Sequence, residues 1–244
     1  MMKVRQHRYG RHRSQVADLY LPKGDGPFPV AIVIHGGFWM AAYDRHLMDP
    51  ICVDLVDRGW AAWNIEYRRV GWRAGGGWPA TGDDVVAAAA HLQKLADDGL
   101  PLDLTTVVAV GHSAGGHLAL HLASRSPVPL RRVFSQAGVC DLVAADGLGL
   151  GDGAVRRLLG HRPADVPELV ADASPAEHLP LGVGQVLVHG EADEHVPLVL
   201  AQDYQVRAAA AGDEVELVAL RGVGHFEHLQ PGSSAWAAVV ARLP

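Results

Sequence analysis

Gly111-His112-Ser113-Ala114-Gly115 is the stretch that most constrains this chain. It has the form G-x-S-x-G and stands between an apolar, β-branched run, Thr105-Thr106-Val107-Val108-Ala109-Val110, and a helix-like segment starting near Ala114. With 28 glycines and 8 serines in 244 residues, about 0.1 such pentapeptides arise by chance, so the flanking strand and helix carry more weight than the motif. The physical demand is a side chain presented on a turn too tight for bulky neighbours. Glycine meets it because it has no Cβ.

A length of 244 residues suits a single domain spanning 1–244 with a sizeable core. Hydrophobic residues make up 49% of the chain and charged residues 20%, a balance unlike that of a disordered chain. The net charge of −6 argues against a nucleic-acid partner. Lys3, Arg5, Arg8, Arg11 and Arg13 make the N-terminus locally basic, and that run reads as a solvated edge hairpin. Two cysteines, Cys52 and Cys140, define no disulfide framework and permit a reducing compartment. There is neither a secretory apolar segment nor a run of about 18 apolar residues. The expectation is a soluble cytoplasmic protein with no membrane partner.

Val4–Leu21 reads as two short strands at a sheet edge, followed by a Gly/Pro-rich turn over 22–29. Val30–Ile34 is continuously apolar, as in a strand buried on both faces of a parallel sheet. A helix is expected over Tyr43–Arg58, broken or restarted at Pro50, then a strand over Trp60–Tyr67 and a helix over Thr81–Asp98 capped near Thr81 or Asp83. After the strand–elbow–helix unit come strands at Arg132–Ala137, Gln185–His189 and Glu214–Leu220, with helices at Val196–Ala211 and Ser233–Arg242. This alternation predicts an α/β fold: a mostly parallel central sheet with helices on both faces. Asp141–Leu181, after the sixth strand, shows no strand pattern and reads as a small lid-like excursion.

A serine hydroxyl needs a base within hydrogen-bond reach and an acid to orient that base. Behind an elbow of this kind the acid precedes the histidine in the chain. Asp193 is the candidate acid, ahead of Glu191 and Glu194 in the loop after a strand. His225, behind Gly224, is the candidate base, with His228 and His195 as loop or surface competitors. An oxyanion hole needs backbone N–H donors, for which the candidates are Ala114 and either Gly37 or Phe38.

Together, His35-Gly36-Gly37-Phe38-Trp39, the Ser113 pentapeptide, His189-Gly190-Glu191-Ala192-Asp193 and Gly224-His225-Phe226 resemble the α/β-hydrolase superfamily. Within it the chain is similar to cap-poor carboxylesterases and to the kynurenine formamidase (arylformamidase) group, whose oxyanion loop reads H-G-G-x-W. Glu66-Tyr67-Arg68 and Ala173-Ser174-Pro175 extend the likeness along the chain. The resemblance implies the α/β-hydrolase fold and two-step hydrolysis of a small-molecule ester or aryl formamide through an acyl-enzyme, with no metal or organic cofactor. Esterase activity ranks ahead of formamidase; acyltransferase, peptidase and a non-catalytic binding protein of the same fold rank lower.

Phe38, Trp39 and Cys140 are candidate substrate contacts, while Trp72 and Trp78 read as packing. His117 and His121, one helical turn apart, read as a surface pair rather than metal ligands. Gly75-x-Gly77-x-x-Ala80 imitates a dinucleotide fingerprint but stands away from the preceding strand and carries Pro79.

Overall fold

A computed structural model describes residues 3–244. Its strands are β1 (Lys3–Arg8), β2 (Val16–Leu21), β3 (Phe28–Ile34), β4 (Ala61–Ile65), β5 (Leu102–His112), β6 (Leu130–Gln136), β7 (Gly184–Gly190) and β8 (Val215–Leu220). They form one sheet in the order β1-β2-β4-β3-β5-β6-β7-β8. β2 runs antiparallel to both β1 and β4, and every pairing from β4 onward is parallel. The sheet is the mostly parallel one that the strand–helix alternation predicts. Its parallel strands end at a common edge, where crevices between connections open.

The continuously apolar strands serve two cores. On β3, Val30, Ile32 and Ile34 face one cluster while Ala31 and Val33 face the other. β5 repeats the alternation with Val107 and Ala109 opposite Val108 and Val110. The first face is covered by α2 (Ala80–Asp97), α3 (Ala114–Ala123) and α7 (Val199–Ala211), through Val85, Leu92, Leu118, Leu122 and Tyr204. The second is covered by α1 (Asp49–Asp57) and α8 (Ser234–Val240), through Ile51, Leu55, Trp236 and Val239. Each such aliphatic side chain, fully buried, contributes about 1.5–3 kcal/mol.

The 141–181 excursion contains α4 (Leu142–Gly147), α5 (Leu150–Leu159) and α6 (Pro167–Ala173) and no strand. It packs on the first core through Leu142, Val155, Leu158 and Val170. Polar ties reinforce that packing: the Trp78 indole N–H donates to Asp172 (2.6 Å), and Arg125 pairs with the same carboxylate (2.7 Å).

Three expectations need correction. Of the two N-terminal strands only β1 lies at an edge; β2 lies inside the sheet because β4 pairs with its other side. Pro79 occupies the N-cap position of α2, and Thr81 instead accepts from the Gly77 N–H and donates to the Arg68 carbonyl. Finally, β5 starts at Leu102, because register irregularities let it pair beyond its apolar run. Among the described residues no helix is long and apolar enough to cross a membrane.

Two very tight backbone approaches lie around the end of β5. A Cβ on Gly111 would stand 2.0 Å from the carbonyl oxygen of Gly115, and one on Gly115 would stand 2.1 Å from that of Ile34. Both obstacles are main chain of regular elements, which cannot swing aside. Gly111→Ala is therefore expected to cost at least about 2–3 kcal/mol through overpacking, read as a lowered urea midpoint. An unchanged midpoint would contradict this account of the turn.

Candidate active site

The turn from β5 into α3 places Ser113 at φ 56° and ψ −118°. A non-glycine residue there carries strain on the order of 1–3 kcal/mol, so its surroundings must hold it. The Ser113 N–H donates to the Gln136 carbonyl at the end of β6 (2.8 Å). Gly36 crosses directly beside it, where a Cβ would stand 2.9 Å from that of Ser113. The serine, 2% exposed, is thus held between the ends of its two neighbouring strands.

His225 lies on the loop after β8, and Asp193 on the loop after β7. The Nδ1 of His225 is 2.7 Å from Oδ2 of Asp193, while Oδ1 accepts the N–H groups of His195 (2.8 Å) and Val196 (2.9 Å). Burial raises the Asp193 pKa, but these hydrogen bonds outweigh it and bring the carboxyl down to about 2. An ionised carboxylate only accepts, so the His225 proton sits on Nδ1 and Nε2 carries the lone pair. Neither Nε2 nor the Ser113 hydroxyl is hydrogen-bonded to another described residue. A base–nucleophile bond of this kind commonly tightens only when substrate is present.

The loop after β3 turns through three successive left-handed residues, Gly37 (φ 102°), Phe38 (φ 50°) and Trp39 (φ 58°). Buried Glu66 holds its base: Oε1 is 3.0 Å from His35 Nε2 and accepts the Tyr67 N–H (3.0 Å). The Tyr67 ring stacks on His35 at 4.3 Å, and its hydroxyl donates to the His35 carbonyl. Further along, the Ala41 N–H donates to the Val70 carbonyl (2.9 Å) and the Val70 N–H to the Trp39 carbonyl (2.7 Å), which pins the turn exit. The N–H groups of Gly37, Phe38 and Ala114 make no hydrogen bond to any described residue.

A cavity of about 90 Å³ joins these parts. The β3 loop and the segment after it line it with Gly37, Phe38, Tyr43 and Leu47, the elbow with His112 and Ser113, and the loops after β7 and β8 with His195, His225, Phe226 and Leu229. Its walls are chiefly apolar around a few polar groups.

The BD-FAE family model matches residues 17–207. The chain belongs to the BD-FAE family. This BD-FAE chain is 30% identical to the esterase LipQ of Mycobacterium tuberculosis over 200 residues, which are 75% of the chain and 46% of that protein. It is 26% identical to the esterase LipC of the same organism over 92% of the chain and 60% of that protein. The chain therefore spans about half the length of these curated relatives. Among solved structures, Esterase B from Lactobacillus Rhamnosis (HN001) superposes with a TM-score of 0.82 at 20% identity, covering 100% of this chain and 84% of that one. The fold is that of the α/β-hydrolases.

The BD-FAE site brings together Ser113, His225, Phe38 and Gly37, with Asp193 behind His225 and Ala114 behind the elbow. It leaves out two expected substrate contacts. Trp39 is 1% exposed, with its indole N–H donating to His117 Nδ1 (3.2 Å). Cys140 is packed in the first core, its thiol pushed up to about 12 by burial. Glu191 and Glu194 are exposed, away from the bond that Asp193 makes. Trp72 is exposed and Trp78 packs in the core.

Three histidines need correction. His117 and His121 are buried rather than a surface pair; His117 uses both ring nitrogens, toward Trp39 and the Ala173 carbonyl. His228 is wholly buried too, and burial brings its pKa down to about 3. His195, weighed only as a rival base, stacks on His225 with centroids 5.0 Å apart. Tyr43, Leu47 and Leu229 escaped the sequence reading because a loop residue and two single-turn 3-10 helices, Arg45–Met48 and Glu227–Leu229, are too short to show which way a side chain points, whereas Phe226 was signalled by its place beside His225.

The low Asp193 value sets a pH signature. Its folded pKa, about 2, lies below the ordinary 3.8, so its contribution is complete above the ordinary value and is lost as pH falls through about 2. Wild type should be more stable than Asp193→Asn at neutral pH, with the gap closing between about pH 4 and pH 2 in acid-unfolding curves. A gap that stays constant over that range would contradict the assignment.

Proposed function

We propose that this chain is a serine carboxylesterase acting on small esters through an acyl-enzyme. The observation that carries the proposal is the shared cavity, in which a strained Ser113 stands with a His225 whose Nδ1 is 2.7 Å from Asp193. The esterase relatives support the same reading.

In the proposed reaction, Ser113 Oγ attacks the ester carbonyl while His225 Nε2 takes its proton. Asp193 holds the imidazole in the Nδ1–H tautomer and stabilises its charge. The N–H groups of Ala114 and of Gly37 or Phe38, unpaired in the resting chain, receive the developing oxyanion; one such donor is worth about 10²–10³ in rate. His225 then protonates the leaving alcohol. Water, activated by the same imidazole, cleaves the acyl-enzyme and restores Ser113. Every step uses side chains and amides of this chain.

The cavity size favours a short acyl group, and the Phe38, Tyr43 and Phe226 rings at its walls favour flat substituents. That aromatic lining keeps aryl formamide hydrolysis as a second reading, since an N-formyl group is the smallest acyl group and its leaving amine is planar. Ser113→Ala should lower turnover of p-nitrophenyl acetate by about 10⁴-fold or more and abolish labelling by a fluorophosphonate probe. Survival of either would overturn the proposal. Parallel assays on N-formylkynurenine and short p-nitrophenyl esters decide the substrate order: the esterase reading predicts the higher kcat/KM on esters, and a large preference for the formamide reverses it.

A further inference from the structure

The reaction just described leaves one buried imidazole without a task. His112, directly before the nucleophile, is 3% exposed, and its Nε2 lies 2.8 Å from the backbone carbonyl oxygen of His225. A carbonyl only accepts, so Nε2 bears the proton. Nδ1, which has no partner among the described residues, bears the lone pair. Burial, followed by the nearby imidazoles of His225 and His228, keeps the ring neutral. The same ring packs on that of His225, with centroids 4.7 Å apart and planes at 51°.

The placement of this bond is what gives it consequence. Ser113 belongs to the end of β5, whereas His225 follows β8, with β6 and β7 between them in the sheet. The other ties of the base loop lead to those intervening strands and their loops. Ala192 N–H reaches the Val223 carbonyl, Asp193 reaches His225, and Gln136 reaches the His228 carbonyl at 3.3 Å. His112 alone among these joins the loop to the residue adjoining the nucleophile.

We propose that His112 is a positioning residue: by donating from Nε2 to the His225 carbonyl, it latches the base loop to the elbow and sets the separation between Ser113 and the His225 imidazole. The inference rests on the esterase reading above. His112 touches no reacting atom and moves no proton; it acts through His225.

The test compares variants of the full chain that separate the donor from the ring. In His112→Gln the amide nitrogen extends as far as Nε2 and keeps the donor. His112→Phe keeps the ring and loses the donor, and in His112→Asn the amide stops short of the carbonyl. With p-nitrophenyl acetate, the Phe and Asn variants should lose about tenfold to hundredfold in kcat, the scale of a small misplacement of catalytic groups. Their KM should stay within about twofold, and His112→Gln should keep kcat within about threefold of wild type. Fluorophosphonate labelling of Ser113 should slow in the same order. Wild-type kcat in the Asn or Phe variant, or equal losses in the Gln and Asn variants, would overturn the latch. If His112→Phe does not fold, the Gln–Asn pair still makes the comparison. Ser113→Ala is assayed alongside: its inactivity beside an unimpaired His112→Asn removes the latch alone, whereas an active Ser113→Ala removes the esterase reading as well.

Discussion

The backward turn at Ser113 is the constraint on which the rest of the catalytic edge depends. Held at φ 56° and ψ −118°, the serine would relax if its flanks allowed it. They do not, because main chain closes on it from both neighbouring strands. β3 approaches through Ile34 and Gly36, and β6 supplies the Gln136 carbonyl for the Ser113 N–H. These approaches require that Gly36, Gly111 and Gly115 have no side chain. A parallel sheet is equally necessary, since only parallel neighbours bring the ends of β3 and β6 to the point where β5 ends.

Around that turn, irregular backbone is fixed by buried polar side chains rather than by further secondary structure. Glu66 anchors the loop with the three left-handed residues, Asp193 anchors His225, and His112 spans from the elbow to the base loop. Each contact is made in low dielectric, where an unmet polar group is costly, so each loop has a strong preference for one geometry. This division of labour leaves the Gly37, Phe38 and Ala114 amides without internal partners at the place where the proposed chemistry develops negative charge.

Much of this arrangement was legible in the chain itself. The sheet was readable because strands such as Val30–Ile34 are apolar on both faces, and the elbow because glycine spacing records a steric demand. Asp193 and His225 could be selected because a Ser–acid–His order limits the choices after the last two strands. Burial of single side chains was not legible. Trp39 follows the oxyanion-loop glycines and looks like a pocket residue, yet its left-handed backbone sends the indole inward to His117. His117, His121 and His228 carry polar rings in local sequences that do not state whether tertiary neighbours will cover them. The cavity walls at Tyr43, Leu47 and Leu229 come from segments remote in sequence, so only the folded chain brings them together.

The central claim is that Ser113, His225 and the amides of Ala114 and of Gly37 or Phe38 act on one carbonyl group. The most direct measurement is a crystal structure of the chain inactivated by a short-chain alkyl phosphonate, whose tetrahedral phosphorus stands in for the attacked carbon. The account predicts phosphorus bonded to Ser113 Oγ, one phosphonyl oxygen about 2.7–3.1 Å from the amide nitrogens of Ala114 and of Gly37 or Phe38, and His225 Nε2 within hydrogen-bond reach of Oγ or the leaving-group oxygen. Phosphonate attached to another residue, or bonded to Ser113 with its oxygen turned away from both amides, would contradict it.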